Sequence, residues 1–366
     1  MVKVLIVDDS AFVRRSLTSI LEKDPDIQIV GTAANGLEGV ALAAKLEPDV
    51  ITMDVEMPKM NGLEALAKIM AENPCPVIMI SSLTGEGAET TLKALELGAL
   101  DYMPKLTSGS LPDLDRVQKE LAGKIKALAR RKAFVRLVHR RKNPSPVAST
   151  ARPATSGMGA APRPQPVRPP GRAGRGAFEA VLIGVSTGGP PAVQKILAAL
   201  PGNFPLPILV AQHMPAAFTG PFAKRLDAQC AISVKEAEPV ERLRSGTVYI
   251  CPGGKHLRVE MRGALPTALV TEEPKEALYK PSANVLMETG GLTLGRKALG
   301  VMLTGMGSDG VEGAKVLKEK GGYMVAQSEQ TCVVYGMPKA VVDAGLADEI
   351  VDLDDVAGAL CALVGA

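Results

Sequence analysis

The chain has 366 residues, of which 46% are hydrophobic, and its formal net charge is +3. This length exceeds the size at which one hydrophobic core usually stops growing, which predicts two domains. The five cysteines are scattered and include no Cys-x-x-Cys pair, which argues against a disulfide framework or a zinc site. We find no signal peptide and no apolar run near the ~20 residues that cross a bilayer, so we expect a cytoplasmic protein that does not insert into a membrane.

Two strand-like apolar runs near the start of the chain each end in carboxylates. Residues 2–7 run into Asp8 and Asp9, and residues 50–53 run into Asp54. The carboxyl ends of neighbouring parallel strands open onto one crevice, so the three acids are expected to converge there. Their mutual repulsion would be relieved by a hard cation such as Mg²⁺, which prefers carboxylate and water oxygens.

The Asp-Asp-Ser segment has a second interpretation, as the N-cap of a helix. Residues 11–21 have the spacing of an amphipathic helix. Its inward-facing residues are expected to be Phe12, Leu17, Ile20 and Leu21. Because short polar residues often cap such helices, Asp8 and Asp9 on their own do not identify a metal site. Their combination with Asp54 and with two later segments favours one.

Those later segments add a hydroxyl and a cation to the same predicted crevice. The apolar run 76–80 ends at Ser81, and Lys105 follows the strand-like segment 99–104. A phosphorylated Asp54 would gain charge and acceptor oxygens that both side chains can bind, which would draw their loops inward. The pattern therefore predicts a phosphorylation switch.

With these residues in place, the chain up to about Lys105 resembles the receiver domain of two-component response regulators. The resemblance implies that Asp54 is the phosphoacceptor and that a histidine kinase supplies the phosphoryl group. It implies that Ser81, Tyr102 and Lys105 form the switch. It also implies a Mg²⁺ site made by Asp8, Asp9, Asp54 and the backbone carbonyl of Glu56. Receivers usually have a proline after this lysine, whereas here Pro104 precedes it.

A basic connector is expected over residues 107–176. Its first part keeps a helical spacing of apolar residues to about position 139, and its second part is rich in Pro, Gly and Arg. Residues 121–178 contain 14 Lys and Arg and no Asp or Glu, which leaves 28 basic against 39 acidic residues elsewhere. We predict a helical and then flexible tether. Because interleaved aromatic residues and a recognisable reading element are missing, we predict no nucleic-acid binding.

After the connector, a glycine-flanked serine stands where a predicted strand gives way to a helix. The segment 179–191 contains Gly184-Val-Ser-Thr-Gly-Gly after an apolar run. Such a turn exposes the Ser186 hydroxyl, and the helix N-terminus behind it offers backbone N–H groups to an oxyanion. A serine N-cap and a phosphate-binding loop are the alternatives, although the segment lacks the Gly-x-Gly-x-x-Gly and P-loop patterns.

A nucleophilic serine needs a base, and the chain has three histidines. His139 lies in the connector, whereas His213 follows an apolar run expected to neighbour the Ser186 strand. His256, in a turn-rich segment, is the second candidate. Asp309, just past another apolar run, can orient the imidazole. Because α/β-hydrolases have the order Ser, acid, His, the order found here predicts a different doubly wound sheet.

Several further motifs occur in the part from 177 to about 360. They are Gly-x-Ser-Thr-Gly-Gly, Gln-His-Met, Pro-Gly-x-x-His-Leu, Leu-Thr-Gly-Met-Gly-x-Asp-Gly and Cys-Val-Val-Tyr-Gly-Met-Pro. In this order they resemble the catalytic domain of the chemotaxis protein-glutamate methylesterases, the CheB family. The resemblance implies the nucleophile Ser186, the base His213, the orienting acid Asp309, and oxyanion or substrate contacts from Thr187 and the Met306 backbone N–H. The family commonly has Arg-Pro-Ser-x-Asp where this chain has Lys280 to Asn284.

Together the resemblances imply a phosphorylation-activated serine hydrolase of chemotaxis. It would demethylate glutamate methyl esters on chemoreceptor cytoplasmic domains, releasing methanol, and would deamidate receptor glutamines, without a cofactor at the hydrolase site. The unphosphorylated receiver is expected to cover Ser186. Two alternatives stay open: the same enzyme acting on a receptor array outside chemotaxis, and a non-catalytic, phosphorylation-dependent binding module.

We therefore predict two doubly wound parallel-sheet α/β domains. The first, at residues 1–106, is expected to be a flavodoxin-like receiver. The second, at residues 177–366, is expected to be a Rossmann-like hydrolase that does not have the α/β-hydrolase fold. The helical and then disordered connector over residues 107–176 would join them.

Overall fold

The computed structural model describes residues 1–82, 84–105, 114–133, 135 and 178–366. In the first domain the strands are β1 (Val2–Val7), β2 (Ile27–Ala33), β3 (Val50–Asp54), β4 (Val77–Ser81) and β5 (Asp101–Pro104). The helices are α1 (Ala11–Leu21), α2 (Gly36–Leu46), α3 (Gly62–Glu72), α4 (Gly85–Glu96) and α5 (Leu114–Ala129). The strands form one parallel sheet in the order β2-β1-β3-β4-β5, so the ends of β1, β3, β4 and β5 meet at one edge.

Helix α1 has the predicted bounds but a different buried face. Ser10 caps it by accepting a hydrogen bond from the Val13 N–H at 3.4 Å, so the N-cap is the serine and neither aspartate. Three of the four predicted inward residues are buried, but Phe12 is 57% exposed. That prediction was wrong because Val13, one turn before Leu17, occupies the buried stripe instead.

Helix α5 covers one face of the first sheet. Its Leu121 and Ile125 are buried in one cluster with Val4 and Ile6 of β1. The sequence predicts this helix as part of the connector, but its apolar stripe makes it an outer layer of the first domain. Most of the remaining connector lies outside the described residues.

The second domain contains ten strands and six α-helices within residues 178–366. The strands are β6 (Ala180–Val185), β7 (Ile208–Gln212), β8 (Ser233–Glu236), β9 (Val240–Arg242), β10 (Thr247–Ile250), β11 (His256–Arg262), β12 (Leu265–Thr271), β13 (Ala298–Met302), β14 (Tyr323–Gln327) and β15 (Glu349–Val351). The helices are α6 (Gly189–Ala199), α7 (Ala216–Gln229), α8 (Ala283–Leu294), α9 (Val311–Glu319), α10 (Met337–Asp343) and α11 (Val356–Val364).

Seven of these strands form a parallel sheet in the order β15-β14-β13-β6-β7-β10-β8. The prediction of two doubly wound α/β domains is confirmed. A three-stranded antiparallel sheet, β11-β12-β9, lies outside that prediction. Within the described ranges, no helix is both long and apolar enough to cross a bilayer.

Candidate functional sites

The catalytic candidates stand at the carboxyl ends of three adjacent strands. β6 pairs in parallel with β13 on one side and with β7 on the other. Ser186 follows β6, His213 follows β7, and Asp309 lies in the loop after β13. The Ser186 N–H donates to Thr304 O, and the His213 N–H donates to Val185 O, each at 3.0 Å. The fold therefore brings the three predicted residues to one crevice of the sheet.

The side chains of His213 and Asp309 form the central pair of this crevice. The imidazole Nε2 lies 2.8 Å from Asp309 Oδ2, and both side chains are largely buried. The other ring nitrogen, Nδ1, is buried and has no hydrogen-bond partner within the described part of the chain. Because Asp309 occupies Nε2, Nδ1 is the nitrogen left to accept a proton.

The Asp309 carboxylate is also held by the N-terminus of α8. It accepts hydrogen bonds from Ser282 Oγ at 2.8 Å, from the Ala283 N–H at 2.6 Å and from the Asn284 N–H at 3.1 Å. Burial alone would raise the pKa of Asp309, but the bonds from His213, Ala283 and Ser282 hold that pKa below its usual value. The carboxylate therefore stays ionised, as an orienting acid must.

Asn284 occupies the position where the resemblance described above led us to expect an aspartate. Its Oδ1 accepts the N–H groups of Gly310 at 2.9 Å and Gly313 at 3.0 Å, at the start of α9. Asp309 thus binds the N-terminus of α8, while Asn284 of α8 binds the N-terminus of α9. The substitution keeps the acceptor oxygen and removes its negative charge.

Two residues outside the predicted site contact Ser186 and His213. Gln212 Nε2 donates to the backbone carbonyls of Ser186 at 3.0 Å and His213 at 3.2 Å. The Tyr279 ring stacks on the His213 imidazole, with centroids 4.3 Å apart and planes 11° apart. The Gln-His-Met motif was a usable signal for Gln212, whereas no pattern in the sequence pointed to Tyr279.

A cavity of about 660 Å³ lies between the two domains. Its lining includes Ser186, Thr187, His213, Tyr279 and Met306 from the second domain and Tyr102, Lys119, Glu120 and Lys124 from the first. Thr187 is 2% exposed, and among the described residues its Oγ1 has no hydrogen-bond partner. Met306 contacts α5 at Gly123, where an added Cβ would lie 3.1 Å from the Met306 Sδ. Helix α5 therefore contacts the side chain of one oxyanion candidate and lines the same cavity as the other.

His256, the second candidate for the base, is engaged elsewhere. Its side chain is fully buried, its Nε2 lies 3.2 Å from Pro274 O, and its Nδ1 accepts the Ser282 N–H at 3.3 Å. Both ring nitrogens therefore have partners other than the Ser186 hydroxyl. The third histidine, His139, lies outside the described residues.

The receiver carboxylates also converge. Oxygen atoms of Asp8, Asp9 and Asp54 lie within 4.8 Å of one another, and Lys105 Nζ is 2.7 Å from Asp54 and 3.9 Å from each of the other two. Burial and the neighbouring Asp54 charge raise the pKa of Asp8 to about 6. Asp8 Oδ2 is buried and accepts no hydrogen bond in the described ranges, so the donor set fits a hard divalent cation. Glu56 lines a shallow pocket beside Asp9.

The two other switch candidates lie at the ends of β4 and β5. Ser81 is fully buried, and its Oγ lies 2.7 Å from Thr91 Oγ1 and 3.2 Å from Gly87 O, both in α4. Tyr102 is 6% exposed and stacks on Phe218 of α7, with ring centroids 4.8 Å apart. One switch residue therefore contacts α4, and the other contacts the second domain.

Polar contacts add to this interface between the domains. Arg225 of α7 donates to Glu96 of α4 through Nε, at 2.6 Å, and through a terminal nitrogen. Gln194 Nε2 lies 3.3 Å from the same carboxylate. Beyond the end of α5, Arg131 donates to Glu329 O at 2.6 Å. The first domain is thus held across the crevice that contains Ser186.

Comparisons with known proteins match both parts of the chain. The family model for the response regulator receiver domain matches residues 4–111, and that for the CheB methylesterase matches residues 181–360. The chain is 57% identical to the "Protein-glutamate methylesterase/protein-glutamine glutaminase 1" of Oleidesulfovibrio alaskensis, with 98% of each chain covered. It is 58% identical to the corresponding protein 2 of Nitratidesulfovibrio vulgaris, again with 98% of each covered. The solved catalytic domain of Thermotoga maritima CheB methylesterase matches with a TM-score of 0.50 and 39% identity, over 51% of this chain and 99% of that one.

Proposed function

The chain belongs to the protein-glutamate methylesterase/protein-glutamine glutaminase family, and we propose that Ser186, His213 and Asp309 carry its activity. It is a phosphorylation-regulated methylesterase and deamidase of chemotaxis. We infer that its substrates are methylated chemoreceptor cytoplasmic domains and that its phosphodonor is a histidine kinase of the same system. The observation that carries the proposed site is the buried His213 Nδ1, unpartnered within the described ranges while Asp309 holds Nε2.

In the proposed reaction His213 Nδ1 takes the Ser186 hydroxyl proton while Oγ attacks the γ-carbonyl carbon of the substrate. The Thr187 hydroxyl and the Met306 N–H would donate to the oxyanion. The Ser186 N–H is excluded from that role because it already donates to Thr304 O. Asp309 stabilises the imidazolium that forms on His213.

Collapse of the tetrahedral intermediate breaks the ester C–O bond. Methanol leaves with the proton from the His213 imidazolium, and the acyl group remains on Ser186. Water then attacks the acyl carbon and gives a proton to His213. Free glutamate leaves as His213 passes this proton to the Ser186 oxygen. With a glutamine substrate the same steps break a C–N bond, and ammonia leaves in place of methanol.

At the receiver site, Asp54 would accept the phosphoryl group. Asp8, Asp9 and the Glu56 carbonyl would help Asp54 to hold Mg²⁺, and this cation would offset the charge of the phosphoryl oxygens. Lys105, already 2.7 Å from Asp54, would pair with a phosphoryl oxygen. The Ser81 hydroxyl would leave its partners in α4 and donate to a second phosphoryl oxygen.

Regulation would act through the shared cavity. The first domain lies over Ser186, and it is held there by the Tyr102–Phe218 stack and the Glu96–Arg225 pair. A phosphorylated receiver must therefore favour the uncovered arrangement over the covered one. A shift from mostly covered to mostly open requires about 5 kcal/mol of differential stabilisation.

Methanol release from methylated receptor fragments, together with ammonia release from a glutamine-containing fragment, tests the hydrolase. We expect Ser186→Ala to lower both rates by about 10⁴ to 10⁶-fold, while exposed Ser233→Ala leaves them unchanged. Turnover in Ser186→Ala within tenfold of wild type would rule out the nucleophile. A wild type that binds the fragments without releasing either product would instead favour the binding-module alternative.

A further inference from the structure

A buried histidine that takes no part in the proposed reaction is connected to the triad through one intervening residue. His256 is the first residue of β11 and has no exposed surface. Its Nδ1 accepts the Ser282 N–H, and Ser282 Oγ donates to Asp309 Oδ1. Asp309 Oδ2 in turn lies against His213 Nε2. A hydrogen-bonded path therefore runs from His256 to the catalytic base.

The two partners of His256 fix its tautomer. Pro274 O can only accept, so the ring nitrogen that lies 3.2 Å from it, Nε2, must carry the proton. The Ser282 N–H can only donate, so Nδ1, at 3.3 Å, must be unprotonated. Burial lowers the pKa of His256, which favours the neutral ring that this arrangement requires.

Ser282 is where the path meets the carboxylate. It is 4% exposed and immediately precedes α8, whose first two N–H groups, from Ala283 and Asn284, also bind Asp309. Its own N–H is directed to His256, while its hydroxyl is directed to Asp309. The position of the Ser282 backbone therefore sets the direction of three donors that hold the acid.

We propose that His256, as the neutral Nε2–H tautomer, is a positioning residue that aligns Asp309 with His213 through Ser282. The inference rests on the proposed roles of Asp309 and His213. His256 would thus act on the rate of the chemical step without touching the substrate. A misalignment of the acid would lower kcat and leave KM unchanged, because the substrate contacts stay in place.

Two substitutions of His256 each remove one of its two hydrogen bonds and keep the other. Asparagine places Oδ1 near the former Nδ1 and keeps an acceptor for the Ser282 N–H, but it loses the donor to Pro274 O. Glutamine places an N–H near the former Nε2 and keeps that donor, but it loses the acceptor. Because each variant removes one hydrogen bond, we expect comparable folding costs but different effects on Ser282.

The experiment measures kcat, KM and the thermal unfolding midpoint of the full chain, activated by a small phosphodonor, for wild type, His256→Asn and His256→Gln. We expect His256→Gln to lower kcat roughly 10- to 100-fold at constant KM, and His256→Asn to recover most of that loss. The unfolding midpoints of the two variants should be similar. Ser282→Ala removes one of the three donors to Asp309 and keeps the N–H that His256 accepts, so it should lower kcat by less than His256→Gln does. The double variant should lose less than the sum of the two single effects, because both act on Asp309 through Ser282.

Equal kcat values in His256→Asn and His256→Gln, whether near wild type or both reduced, would overturn the proposal and leave the proposed function standing. A loss in KM instead of kcat would overturn it in the same way. A wild type that releases no methanol would overturn the proposed function and, with it, this inference.

Discussion

The two sites of this chain use the same topology for opposite electrostatic purposes. Both lie where the carboxyl ends of adjacent parallel strands meet, and both depend on a buried aspartate. At the receiver site, burial and a second carboxylate raise the pKa of Asp8, and one of its oxygens accepts no hydrogen bond within the described residues. At the hydrolase site, His213 and the N-terminus of α8 satisfy Asp309 and lower its pKa. The receiver carboxylates therefore suit an external cation, whereas the Asp309 carboxylate is satisfied by groups of the chain itself.

The largest effect is expected from a substitution of Asp309 at the hydrolase site. Asp309→Asn keeps the shape of the side chain but removes the charge that, in the proposed reaction, stabilises the His213 imidazolium. We expect kcat for methanol release to fall by about 10³ to 10⁴-fold, as is usual for the acid of a triad. Exposed Asp343→Asn, which loses a surface pair with Lys339, should leave kcat unchanged. A fall of less than tenfold in Asp309→Asn would show that Asp309 does not orient the base.

A smaller effect should appear at the interface that joins the two sites. Arg225→Ala removes the pair with Glu96, which is partly exposed on both sides. We expect the methanol release of the unphosphorylated chain to rise by up to about fivefold, which corresponds to the ~1 kcal/mol of such a pair. Exposed Lys224→Ala is the matched control. An unchanged basal rate in Arg225→Ala would mean that this contact does not hold the covered arrangement.

The smallest effect concerns stability in acid. Because the pKa of Asp309 is lower in the folded state, its ionised form stabilises the fold above the ordinary aspartate pKa near ~3.9. This contribution is lost as the pH falls through the folded pKa. The difference in free energy of unfolding between wild type and Asp309→Asn, measured by urea titration, should be constant near neutral pH and shrink below about pH 4. A difference that is independent of pH would contradict the lowered pKa.

The sequence was sufficient to predict the positions of residues that stand at the carboxyl ends of strands. Asp8, Asp54 and Lys105 gather as expected, and Ser186 and His213 lie on adjacent strands, because a parallel sheet brings consecutive strand ends together. The Lys105 ammonium reaches Asp54 even though Pro104 precedes it. These features depend on local periodicity and on one topological rule.

Features that depend on packing between distant segments were missed. The Tyr279 ring on His213 and the Ser282 bond to Asp309 join segments that no periodicity relates. The burial of Val13 in place of Phe12 depends on the rotation of α1 against the sheet, which the spacing alone left open. Likewise, the apolar stripe of α5 predicted a helix but not the surface that it covers.

The coupling of the two sites is tested most directly by methanol release from methylated receptor fragments, with and without Mg²⁺ and a small phosphodonor, in wild type and Asp54→Ala. We expect phosphodonor and Mg²⁺ together to stimulate the wild type, and we expect Asp54→Ala to keep only its unstimulated rate. Equal stimulation of both proteins, or an active wild type that the phosphodonor leaves unchanged, would contradict the account of a receiver that uncovers Ser186.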